Sequence, residues 1–139
     1  MSQSNTRVGD LTFPAGENLT GKEDLLVKLT HDNGVPEVKL PAAITETALY
    51  LLMDGDADTK LVSVRPLDRN RNLRIRLKGT CNPGDTLVLA AITSDDAGKV
   101  RALPATAGTY RALLTAEEAG VDGQLIKCRP NPLGNIVVT

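Results

Sequence analysis

Leu73-Arg74-Ile75-Arg76-Leu77-Lys78 alternates apolar and basic residues without a break. Successive side chains of an extended strand point to opposite faces. Leu73, Ile75 and Leu77 therefore share one face, and Arg74, Arg76 and Lys78 share the other. Working toward the N-terminus, Leu61 to Arg65 alternates in the same way. Ala48 to Met53 is a continuous apolar run, which predicts a strand buried on both faces. Leu25 to Thr30 and Val35 to Leu40 flank the turn residues Asp32-Asn33-Gly34. Pro36 places the second of these at a sheet edge, because proline has no N–H to give to a ladder. Working toward the C-terminus, Asn82-Pro83-Gly84-Asp85 is a turn by residue type. Thr86 to Ile92, Lys99 to Leu103, Tyr110 to Leu114, Gln124 to Arg129 and Asn135 to Thr139 follow as further short runs.

These about nine or ten short runs, set apart by turn residues, predict an all-β chain. The architecture expected is a small antiparallel β-barrel or β-sandwich with an extended N-terminal arm. No strand–helix–strand alternation occurs, and we read no internal repeat and no low-complexity stretch. Thr115-Ala116-Glu117-Glu118 has capping-box spacing, but Gly120 limits a helix there to one turn. Residues 1–20 are polar and punctuated by Pro14 and Gly16, with Val8, Leu11 and Phe13 as sparse apolar points. We read 1–20 as a flexible arm and 21–139 as the β-rich domain. The competing reading folds the arm back as an edge strand.

Composition narrows the function. The chain has 139 residues, enough to bury a core without metal or disulfide. Its 16 basic and 17 acidic residues give a net charge of −1, which excludes a globally basic nucleic-acid binder. Phe13, Tyr50 and Tyr110 are the only aromatic residues and His31 the only histidine. Base-stacking platforms, aromatic sugar shelves, histidine triads and multi-histidine metal sites are hard to build from that stock. The expectation is a protein that is not an enzyme and uses no cofactor or metal. No apolar run approaches the ~20 residues of a membrane-spanning helix, and no secretory leader is read at the N-terminus. Cys81 and Cys128 lack metal-site spacing and read as two reduced thiols, with their pairing left open.

Three features remain as candidates for chemistry. Asp54, Asp56 and Asp58 open like a calcium loop, but Thr59 and Arg65 stand where glycine and glutamate are required. His31 beside Asp32 lacks a nucleophile at any defined spacing. Lys60, Arg65, Arg69, Arg71, Arg74, Arg76 and Lys78 form a block opposed only by Asp68. That block reads either as a basic face for an acidic partner or as a solvated sheet face with cross-strand charge pairs. Nucleic acid is the less favoured partner, since no aromatic residue is interleaved.

Phe13-Pro14-Ala15-Gly16-Glu17-Asn18-Leu19-Thr20-Gly21-Lys22-Glu23 resembles the N-terminal signature of the small capsid cement proteins of tailed phages. Asn82-Pro83-Gly84-Asp85-Thr86-Leu87-Val88-Leu89 is similar to their step from Gly-Asp into an apolar strand. Asp96-Ala97-Gly98-Lys99-Val100-Arg101 is similar to their Gly-Lys-Val strand entry. Ala116-Glu117-Glu118-Ala119, followed by Asp122-Gly123-Gln124-Leu125-Ile126-Lys127, is similar to their closing pattern, with Cys128 in place of valine. The resemblance spans about residues 10 to 130.

The resemblance implies a structural virion protein on the capsid exterior, assembled in the host cytoplasm. It would cement neighbouring major capsid protein subunits of the mature icosahedral head. It implies a homo-oligomer, with a trimer favoured over a dimer, and no membrane or specific nucleic-acid partner. It also implies a strand, not a helix, over Tyr110 to Ala119. The capsid-contact candidates are Arg7, Val8, Leu11, Phe13 and Leu19. The basic-face candidates are Arg65, Arg69, Arg71, Arg74, Arg76 and Lys78. The alternatives are a β-barrel nucleic-acid binder using residues 60–78 and a virion glycan-binding β-sandwich using Tyr50 and Tyr110.

Overall fold

The computed structural model describes residues 9–47 and 49–139. Its ten strands are β1 (Leu11–Pro14), β2 (Leu26–Asp32), β3 (Val35–Lys39), β4 (Leu49–Asp54), β5 (Leu61–Pro66), β6 (Leu73–Arg76), β7 (Thr86–Leu89), β8 (Val100–Ala102), β9 (Gly108–Ala116) and β10 (Leu125–Val138). The chain is all-β, with one 3₁₀ turn at Ser94–Asp96. The strands form two five-stranded antiparallel sheets, ordered β1-β5-β4-β2-β3 and β6-β10-β9-β7-β8.

The two orders are one topology used twice. Each sheet places its fifth strand between its first and fourth, and its second beside its third. The registers also correspond. Val62 faces Phe13 in the first sheet, and Ile126 faces Ile75 in the second. Pro66, Arg65 and Val64 face Tyr50, Leu51 and Leu52; Pro130, Arg129 and Cys128 face Leu114, Thr115 and Ala116. Each sheet curls until its outer strands are linked by a single parallel bridge, Ala15 to Val38 and Leu77 to Val100. The Gly16 N–H donates to Val38 O at 2.8 Å, and the Lys78 N–H donates to Val100 O at 2.8 Å. The chain is thus a tandem pair of equivalent units, against the expectation of no internal repeat.

The interiors correspond residue by residue. Inside the first unit lie Ala15, Leu19, Val27, Val38, Leu52, Val62 and Val64. Their counterparts Leu77, Cys81, Leu87, Val100, Ala116, Ile126 and Cys128 are all buried in the second cluster. Leu26, Leu49 and Leu51 of the first unit point out of its interior and join that second cluster, so they form the seam between units. Ala48 to Met53 was expected to be buried on both faces. Leu51 and Leu52 bear it out, one in each cluster, while Tyr50 and Met53 are half-buried and Ala48 lies outside the described residues. The backbone crosses the seam as well: the Leu26 N–H donates to Gly98 O at 2.9 Å and the Arg76 N–H donates to Asp24 O at 3.1 Å.

The stretch Leu73–Lys78 behaves as its alternation requires, with Leu73, Ile75 and Leu77 buried and Arg74 exposed. Asp32-Asn33-Gly34 turns β2 into β3 with positive φ at Asn33 and Gly34, and β3 with Pro36 is an edge strand. Two expectations are corrected. Residues 9–20 are not a loose arm: β1 pairs with β5, and Ala15 and Leu19 are buried. The few apolar residues there suffice because they complete a curled sheet rather than build one. Gln124 to Arg129 and Asn135 to Thr139 are not separate strands but one strand, β10, whose register shifts between Pro130 and Gly134. The strand implied over Tyr110 to Ala119 is present as β9, which ends at Ala116; Glu117 and Glu118 bend.

Candidate interaction surface

The capsid-contact candidates divide by burial. Arg7 and Val8 lie outside the described residues. Leu11 and Phe13 are half-buried on the edge strand β1, with the Phe13 ring tilted against Tyr50 at 6.0 Å between centroids. Leu19 is fully buried and unavailable to a partner. Its backbone N–H donates to Asp56 O at 2.9 Å, so the acidic segment 54–58 that opens like a calcium loop holds it from behind.

Three residues of the basic block, Arg65, Arg74 and Lys78, have acidic partners within the chain. Arg65 makes a two-bond fork to Asp10, at 2.8 and 3.1 Å. The fork holds the Asp10 carboxyl below its ordinary range and raises Arg65. Arg74 pairs with Glu118 at 2.9 Å, and Lys78 with Asp96 at 3.0 Å. Asp96 also accepts from Lys99 at 2.8 Å, and the two lysines lower its pKa. Arg76 donates to Gly123 O and Arg69 to the Asn131 side chain. Part of the block is gathered in space: Arg65 and Arg74 line one cleft together with Lys127, and Arg71 lies close enough to Asp10 to lower its pKa alongside Arg65.

The remaining candidates are occupied structurally. His31 Nδ1 accepts the Gly34 N–H at 3.0 Å inside the β2–β3 turn. Tyr110 is buried, its hydroxyl donates to Thr106 O at 3.1 Å, and Arg101 lies over its ring. It offers no platform for a sugar. Both cysteines are free and buried. Burial pushes the Cys128 thiol up to about 12 and also raises Cys81.

Two neighbouring features are left as open surface. The first is a cleft of 320 Å³ where the units meet, lined by Leu49, Tyr50 and Pro66 from one and Arg111, Leu113 and Pro130 from the other. Leu49 and Leu113 are counterparts in the two units, as are Pro66 and Pro130. The second is the far half of the β9–β10 hairpin. There Gly134–Val138 pairs with Gly108–Ala112, while β6 borders β10 only at Leu125–Cys128. Among the described residues no strand borders the outer edge of Gly134–Val138. Leu133 is 61% exposed and Val137 69%. Sequence reasoning missed both features. The signal available was the uncharged stretch Asn131 to Thr139, which carries Leu133, Ile136, Val137 and Val138.

No family model matches the chain. No curated protein matches it. Among solved structures it is similar to the N base of head fiber gp8.5 of bacteriophage phi29. The identity is 17% and the TM-score 0.63, over 88% of this chain and 92% of that one. At that identity the likeness shows a shared fold.

Proposed function

We propose that this chain is a structural protein of a phage virion, held on the outside of the head by the major capsid protein. The observation that carries the reading is the fold it shares, over nearly its whole length, with the base of a phage head fiber. The resemblance of its motifs to capsid cement proteins supports the finer reading, in which it bridges neighbouring capsid subunits. A protein that binds the mature shell and not its dissociated subunits stabilises the shell by mass action. Repetition over many sites multiplies that effect. The role requires no reacting side chain, only surface and backbone.

Arg7, Val8, Leu11 and Phe13 remain the proposed capsid contacts. The test is co-sedimentation with expanded capsids that lack the protein. Binding is expected, together with a higher temperature of shell disruption; failure of the intact chain to bind overturns the reading. Deletion of residues 1–8 isolates their contribution, because β1 stays in place. Deletion of 1–20 is the wrong variant, since it removes Leu19 and β1 from the first core.

A further inference from the structure

We propose that the outer edge of Gly134–Val138 is a self-association site, which pairs antiparallel with the same edge of a second copy of this chain. The edge is open among the described residues, while β9 fills the other side of the same strand. Strand edges are usually protected by lysine, proline or a bulge that turns the edge away. Gly134-Asn135-Ile136-Val137-Val138 carries neither lysine nor proline, and the register shift lies before it, between Pro130 and Gly134.

This is also where the two units differ. In the first, strand pairing of the matching hairpin stops at Tyr50 and Pro66. In the second, it resumes beyond the counterparts Leu114 and Pro130. The extra ladder adds little to either core, since Asn135 and Val137 are exposed.

The absence of charge selects the partner. A two-fold axis at Ile136 sets Asn135 of one copy opposite Val137 of the other, and Gly134 opposite Val138. Like charges set opposite each other would be destabilising, and this segment has none. Identical edges can therefore meet across an isologous contact. The outcome is one sheet running through both molecules, with backbone hydrogen bonds as its main attraction.

The inference goes beyond the virion reading and is measured apart from it, by sedimentation velocity of the full chain from micromolar to sub-millimolar concentration. A monomer–dimer equilibrium is expected. The double variant Asn135→Lys with Val137→Lys puts lysine opposite lysine and should raise the dimer dissociation constant at least ~10-fold. Asn135→Lys with Val137→Glu puts lysine opposite glutamate and should recover most of the loss. Both positions are exposed, and circular dichroism checks that each variant is folded. A wild-type chain that stays monomeric throughout overturns the inference. So does self-association, dimeric or trimeric, that responds equally to the two double variants. Capsid binding by a strictly monomeric chain would overturn the inference and leave the virion reading standing.

Discussion

The two units share a topology and a register but fill their interiors differently. In the first, position one of the bridge is the small Ala15, and the matching large residue is Leu52. In the second the sizes are exchanged, with Leu77 at the bridge and Ala116 on the fourth strand. Leu19 and Val64 are matched by Cys81 and Cys128. The outer faces diverge further. Leu51 and Met53 of the first unit pack toward the second, while Thr115 and Glu117 occupy the matching places there and are half-buried. The unit that receives a neighbour keeps an apolar outer face at these positions, and the other presents polar residues there. Total volume and backbone pairing are held between the units, while the identity of each side chain is not.

The sharpest test of that comparison exchanges volumes. Leu77→Ala should cost about 2–5 kcal/mol by opening a cavity in the second interior. Ala116→Leu alone should cost about 1–3 kcal/mol by overpacking. The double variant re-creates the small-large order of the first unit, so its loss should fall well short of the sum of the two. Urea unfolding midpoints measure all three, and simple additivity would break the comparison.

The next largest effect lies at the seam. Gly98 has φ +84°, and a Cβ there would sit 2.7 Å from Leu26 O. Gly98→Ala should therefore cost more than the ~1–2 kcal/mol expected of left-handed backbone alone. Gly84→Ala is the control, since Gly84 also has positive φ but has open space around it. Thermal denaturation should place G98A clearly below G84A.

Gly84 has a counterpart of its own. The Gly84 N–H donates to Ala116 O, and in the first unit the Asp24 N–H donates to Leu52 O. Asp24 has φ +67°, so the first unit carries aspartate where the second uses glycine. Asp24→Gly should stabilise by about 0.5–1 kcal/mol, the relieved strain less the entropy glycine adds to the unfolded chain. A lower melting temperature would contradict the equivalence.

Ion pairs predict a smaller, pH-dependent effect. Arg65 holds Asp10 down in the first unit, and Arg129 holds Glu117 down in the second. A carboxylate with a lowered folded pKa stabilises fully above its ordinary value and loses that stabilisation as pH falls through the folded one. Stability should hold from neutral pH to about 5 and decline below about 4. Asp10→Asn and Glu117→Gln should each shrink the decline by similar, small amounts in acid titrations followed by circular dichroism. The smallest effect belongs to Cys128→Val, which copies Val64 and should change stability by less than ~1 kcal/mol. In the native protein neither thiol should react with a thiol-specific reagent at pH 8; unfolding should expose both.

How much of this was legible in the sequence follows from what each feature requires. Alternation marked Leu73–Lys78, and turn chemistry marked Asp32-Asn33-Gly34 and Asn82-Pro83-Gly84-Asp85, because these signals are local. The repeat was not read, because curled interiors ask for apolar volume and not for particular residues. One echo was present: Leu61-Val62-Ser63-Val64-Arg65-Pro66 against Leu125-Ile126-Lys127-Cys128-Arg129-Pro130. Leu19 looked like part of an arm because its neighbours in space, Val38 and Leu52, are distant in sequence. The pairing of Arg65, Arg74 and Lys78 was not legible because their acidic partners Asp10, Glu118 and Asp96 also lie far along the chain. The junction cleft needs residues from both units, so no single stretch could announce it.

In each unit the last strand made is the one that fits between the first and the fourth. On the ribosome, β1 therefore waits with an unpaired edge until β5 emerges, and β6 waits in the same way for β10. Chains are made at ~5–20 residues per second, and N-terminal units fold first. The first unit is complete in sequence by Pro66, before any strand of the second has been made. Synthesis order thus separates two equivalent sets of strands in time and limits exchange of strands between the units. A circular permutant that begins at β6 would reverse that schedule while keeping every contact within each unit.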